Sequence, residues 1–116
     1  MEYLDRTFAD KPEITDGVYL ERYGDWVHTN VPHHVMKHSP DGFLWGYGGS
    51  GPADLALNII EAVLLARGYE GARREGCFEL TTRLYQKFKV DFIVTMPYEG
   101  GHIPFETIAE WIDGGA

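Results

Sequence analysis

The stretch Gly46-Tyr47-Gly48-Gly49-Ser50-Gly51-Pro52-Ala53-Asp54-Leu55-Ala56-Leu57 runs from a glycine-rich turn into an apolar segment with helical spacing. Its first six residues satisfy G-x-G-x-x-G, the turn that seats a pyrophosphate on a helix N-terminus in dinucleotide-binding folds. Whether it is a phosphate cradle or a corner between two elements decides how the rest of the chain is read.

A dinucleotide site needs a second parallel strand after the helix, ending in an acid that reaches the ribose. Here the chain continues Gly68-Tyr69-Glu70-Gly71-Ala72-Arg73-Arg74-Glu75, polar and broken by glycine. A nucleotide P-loop needs Lys followed by Ser or Thr after its last glycine, and Pro52-Ala53 stand there instead. Without that lysine the phosphate charge has no local counterion. The serine-hydrolase elbow G-x-S-x-G fails at Pro52 as well. In a helix beginning at Pro52, the proline removes one N–H donor, and Asp54 at the third position brings a carboxylate to the others. The stretch therefore reads as a corner. A neutral or aromatic ligand stays open, because Trp45 and Tyr47 alternate toward the turn.

Upstream of the corner the chain reads as strands. Val18 to Tyr23 and Trp26 to Val31 are rich in β-branched and aromatic residues, with Gly24-Asp25 as the turn between them. His33 to His38 and Phe43 to Tyr47 flank Ser39-Pro40-Asp41-Gly42, strong turn chemistry that predicts a second hairpin. Downstream it reads as helices. Pro52 to Arg67 is apolar nearly all round, which predicts a buried helix lying across the sheet and ended by Gly68. Tyr69 to Gly76 reads as an exposed loop. Phe78, Leu84, Tyr85, Phe88 and Phe92 support a second helix, and the breaker run Met96 to Gly101 precedes a short third one. There Pro104 suits the first helical position and Ile108, Trp111 and Ile112 form the inward stripe. The fold class expected is α+β, a small antiparallel sheet with about three helices on one face, and residues 1–116 form one domain.

Composition narrows the function classes. The chain has 116 residues, a formal net charge of −8, a hydrophobic share of 44% and one cysteine. An internal disulfide and a Cys-rich zinc site are excluded. The apolar segment from Ala53 to Ala66 is too short and too interrupted to span a bilayer, and the N-terminus has no signal-peptide pattern, so a cytoplasmic protein is expected. Residues 91–116 carry five acids, Asp91, Glu99, Glu106, Glu110 and Asp113, and no lysine or arginine. Residues 61–90 hold six bases against four acids. Such a balance repels nucleic acid and favours basic protein surfaces, including the nucleic-acid grooves of other proteins.

Catalytic signals are weak. His33, His34 and His38 would offer an i, i+4 metal pair on a helix, but on a strand His34 and His38 stand about 13 Å apart. No third ligand pattern accompanies them, so no metal is expected. Cys77 beside Phe78 reads as a small buried residue. No acid pair stands out as a general acid–base couple, and no cofactor is expected.

The run Gly42-Phe43-x-Trp45-Gly46-Tyr47-Gly48-Gly49-Ser50-Gly51-Pro52-Ala53-Asp54-Leu55-Ala56-Leu57 resembles the signature of a small uncharacterised family, the domain of unknown function numbered 6166. Phe88-Lys89 and the closing Ile108 to Ile112 segment extend the resemblance. It is weaker over the first 30 residues and the Tyr69–Glu75 loop. The family carries no known activity and so implies no catalytic residue. It implies a setting: an accessory protein of phages, plasmids and other mobile elements.

Two functions are carried forward. The first is a non-enzymatic binding protein that inhibits a host defence complex, for example an anti-CRISPR protein occupying a basic nucleic-acid-binding surface of a Cas effector. Its expected contacts are Asp91, Glu99, Glu106, Glu110 and Asp113. The second is a binder of a small molecule or nucleotide signal, using Trp45, Tyr47, Gly48, Gly49 and Ser50 with Arg73 and Arg74.

Overall fold

Every residue from Gly51 to Leu64 is buried in the computed structural model, which describes residues 13–24, 26–32 and 43–114. These buried residues belong to helix α1, Ser50–Ala66, which is enclosed on all sides. The cause is compositional: Leu55, Leu57, Ile59, Ile60, Val63 and Leu64 point in different directions around the helix, and each gains about 1.5–3 kcal/mol by leaving water. The end of α1 follows the expected glycine stop. The Tyr69 N–H donates to the Leu64 carbonyl and the Gly68 N–H to that of Leu65, the paired bonds of a Schellman motif.

Around α1 lie two further helices and a sheet. A short hairpin, β3 (Arg73–Arg74) and β4 (Cys77–Phe78), feeds α2, Glu79–Phe88. The segment expected as a plain exposed loop thus carries a strand. α2 continues as a π-helical turn, Lys89–Ile93, and α3 spans Phe105–Asp113. Pro104 is the N-cap of α3, one position earlier than expected. Ile108 and Ile112 are buried and Trp111 is half-buried.

The sheet has the order β2-β1-β5, all antiparallel: β1 is Val18–Tyr23, β2 is Trp26–Thr29 and β5 is Gly100–Ile103. Val18, Leu20 and Ile103 face inward and join the same core as α1. Tyr19 and His102 stack on the opposite face at 4.3 Å. Beyond the end of β2, the Asn30 side chain continues the ladder. Its Oδ1 accepts from the Tyr19 N–H at 2.9 Å and its Nδ2 donates to the Gly17 carbonyl at 2.9 Å. The fold is α+β, as composition and periodicity imply. Among the described residues no helix is long and apolar enough to cross a membrane.

Two expectations are corrected here. Phe43–Tyr47 forms no strand: Phe43 and Trp45 are buried, but the backbone pairs with no sheet edge and bends at Gly46. β5 takes the free side of β1 instead, at a run read as a helix breaker. The partner half of the expected hairpin, residues 33–42, lies outside the described residues, as do His33, His34 and His38.

Candidate functional site

The glycine turn is built as a corner. Gly46 adopts φ +88°, a region open to glycine, and its N–H donates to the Ile93 carbonyl at 2.9 Å. Gly49 is the N-cap of α1, and a Cβ there would strike the ring of Tyr47, which lies against it. The helix starts at Ser50, so Pro52 is its third residue and Asp54 its fifth. The expectation that Asp54 caps the first turn is therefore corrected. No acid lies in the first turn of α1, and Asp54 is buried, at 1% exposure.

Trp45 is occupied as well. Its indole Nε1–H donates to the Tyr98 carbonyl at 3.1 Å, and that oxygen also accepts the Arg22 Nε–H at 2.9 Å. The Arg22 guanidinium lies 3.9 Å from the Tyr98 ring centroid and 5.1 Å from that of Trp45. Cation–π attraction and two hydrogen bonds thus join β1, the glycine turn and the 97–99 loop.

Arg73 and Arg74 are placed far from this turn. The Arg73 Nη2 lies 3.1 Å from the Glu61 Oε2 and also donates to the Gly76 carbonyl, with the guanidinium 4.3 Å from the Phe78 ring centroid. Arg74 pairs with Glu79 at 3.4 Å. Glu61 stands eleven residues beyond Ser50 on α1, about 16 Å at the helical rise. Trp45, Tyr47, Gly48, Gly49 and Ser50 on one side and Arg73 and Arg74 on the other therefore do not make one site.

The acidic candidates divide into two groups. Glu106, Glu110 and Asp113 fall at i, i+4 and i+7 on the exposed side of α3, opposite Ile108 and Ile112. Glu99 is exposed in the turn before β5. Asp91 is tied in place: it accepts the Trp111 Nε1–H at 2.8 Å and the Lys87 ammonium at 3.2 Å. The Trp111 hydrogen bond holds its carboxyl below the ordinary value, and the Lys87 hydrogen bond and charge add to that against partial desolvation. Asp113 pairs with Arg67 at 3.0 Å while its side chain stays 61% exposed.

The sequence profile described as "Family of unknown function (DUF6166)" matches residues 11–114. The chain belongs to the DUF6166 family. Comparison with curated proteins and with solved structures finds no match.

A heavily engaged buried side chain in this DUF6166 member, Glu61, went unsingled in the sequence. Its Oε1 accepts the Phe78 N–H at 3.1 Å and the Thr81 hydroxyl at 2.8 Å, while its Oε2 takes Arg73. An acid in the middle of an apolar run, followed by Arg73-Arg74, was the available signal. Cys77 is buried, with its Sγ 3.4 Å from the Thr82 hydroxyl. Among the described residues no three His, Cys, Asp or Glu side chains gather where they could hold a metal ion.

Proposed function

We propose that the protein is a non-enzymatic binding protein that engages a basic surface of a host protein through the outer face of α3. The observation that carries this reading is the exposed acidic stripe Glu106, Glu110 and Asp113, backed by a buried apolar stripe that fixes its orientation. Glu99 and Asp91 extend the acidic character toward the preceding loop and the π-helical turn.

The distribution of bases supports it. Arg67, Arg73, Arg74 and Lys87 each face an acid, so the net charge of −8 is expressed at the surface and little of the basic segment is available to nucleic acid. Acid-rich surfaces accelerate encounter with basic grooves. Together with the mobile-element setting implied by the family resemblance, this makes a host defence complex the proposed target. A Cas effector whose nucleic-acid groove the protein occupies in the host cytoplasm is the specific case. A small-molecule site at the glycine turn would have to do without Arg73 and Arg74, which lie elsewhere, and with a Trp45 indole already bonded to the Tyr98 carbonyl.

The test is affinity purification from cells carrying candidate defence systems, repeated with Glu106→Lys/Glu110→Lys. The double variant is expected to lose about tenfold or more in capture at low salt, with unchanged circular dichroism. Undiminished capture by the folded double variant would remove this surface from the reading.

A further inference from the structure

A cavity of about 360 Å³ opens where the C-terminal end of α1 meets α2 and the end of α3. Leu64, Leu80 and Ile112 form its apolar floor, and Arg67, Tyr69, Arg83 and Asp113 stand at its exposed rim. Its size falls at the small end of ligand pockets, which run from roughly 300 to 1,000 Å³. The site is built rather than incidental. The Schellman bond from Tyr69 to Leu64 fixes the turn at the rim. The Tyr69 ring meets Phe78 edge-on at 5.0 Å and rests against Gly71, where any Cβ would collide with the phenol.

Charge defines what the cavity takes. In a chain with 18 acids against 10 lysines and arginines, every base has acids to choose from. Arg67 is neutralised by Asp113 across the rim at 3.0 Å. Arg83 is different: among the described residues it makes no ion pair or hydrogen bond. One uncompensated guanidinium thus stands beside an apolar floor and an aromatic wall. Glu79, one turn before Arg83 on α2, is engaged by Arg74 at 3.4 Å.

We propose that this cavity binds a small organic carboxylate with an apolar body, the carboxylate on Arg83 and the body on Leu64, Leu80 and Ile112. A guanidinium meets a carboxylate through paired, charge-assisted hydrogen bonds, which sets the ligand class. Asp113 lies in the mouth as a competing carboxylate and limits affinity. The cavity shares Asp113 with the acidic stripe but holds neither Glu106 nor Glu110, so Arg83→Met tests this inference without touching the protein-partner reading.

The experiment titrates benzoate, hexanoate and indole-3-acetate, with their neutral amides, into the purified protein at low salt. Amide NMR shifts at Leu64, Tyr69 and Leu80 report binding. The acids are expected to saturate at about millimolar concentration, as suits ligands of so few atoms, and the amides to bind about tenfold more weakly. Arg83→Met is expected to remove that preference, while Asp113→Asn tightens the acids by freeing Arg67. Equal binding of acids and amides, or an unchanged preference in Arg83→Met, overturns the proposal. So does the absence of any saturable shift. Tighter binding of an acetylated peptide with an apolar C-terminal residue than of any free acid overturns it in favour of a protein tail.

Discussion

The Glu61 carboxylate accepts the Thr81 hydroxyl at 2.8 Å from inside a fully buried stretch of helix, and so fixes the start of α2 to the middle of α1. Glu61→Ala strands the Phe78 N–H and the Thr81 hydroxyl, both buried donors, and is expected to cost about 3 kcal/mol or more. Arg73→Ala leaves those two bonds intact, and Arg73 is 47% exposed, so water replaces part of what is lost. Its cost is expected to be about 1–2 kcal/mol. Urea denaturation of both variants checks the order, and an Arg73→Ala more damaging than Glu61→Ala refutes it.

Asp91 gives the fold an acid limb. Its carboxyl is held below the ordinary value chiefly by the Trp111 indole, so the unfolded chain takes up this proton more readily than the folded one. The resulting stability is fully present above the unfolded value, about pH 4, and is lost as pH falls through the lowered folded value. Trp111→Phe is expected to raise the Asp91 midpoint, read by carboxyl-carbon NMR, and to flatten stability against pH below about 5. An unmoved midpoint would show that the hydrogen bond is not its cause.

Three glycines rank by what surrounds them. At Gly100, φ is +106° and a Cβ would meet the Leu20 carbonyl in the neighbouring strand. Gly100→Ala is expected to cost more than about 2 kcal/mol. Gly46→Ala meets an unfavourable φ but only ordinary contact with the Met96 carbonyl, and about 1–2 kcal/mol is expected. Gly49→Ala needs only the half-exposed Tyr47 ring to swing away, and less than about 1 kcal/mol is expected. Thermal or urea midpoints give the ranking directly.

Arg22 acts as a planar group as well as a charge. Arg22→Lys keeps the charge but loses the stack on Tyr98 and Trp45, and is expected to cost about 1 kcal/mol. A double-mutant cycle of Arg22→Lys with Tyr98→Leu should show coupling of about 0.5 kcal/mol or more. Additive effects would mean that the stack contributes nothing.

What the sequence made legible was whatever carried strong local chemistry. The apolar run after Pro52 and the stop at Gly68 placed α1 to within two residues at its start. Gly24 and its β-branched flanks placed β1 and β2. β5 was invisible because Gly100-Gly101-His102-Ile103 has almost no strand propensity. It is a strand only because β1 offers it an open edge. The alternation from Phe43 to Tyr47 misled in the opposite way: Phe43 and Trp45 are buried, but Tyr47 is exposed and the indole of Trp45 seeks the Tyr98 carbonyl rather than a sheet. The acidic stripe on α3 was readable from spacing once the helix was placed. The cavity beside Arg83 was not, since its walls come from three helices whose packing no local pattern encodes.

His102 meets the Asp16 carbonyl across 86 residues of sequence, and β5 closes the sheet only near the end of the chain. During synthesis the N-terminal part emerges first, so the β1–β2 hairpin and the largely apolar α1 wait without their partners. Their burial is completed only when α3 and β5 have been made. A chain cut short before residue 100 lacks both β5 and α3 and is expected to present part of this apolar helix to chaperones and proteases.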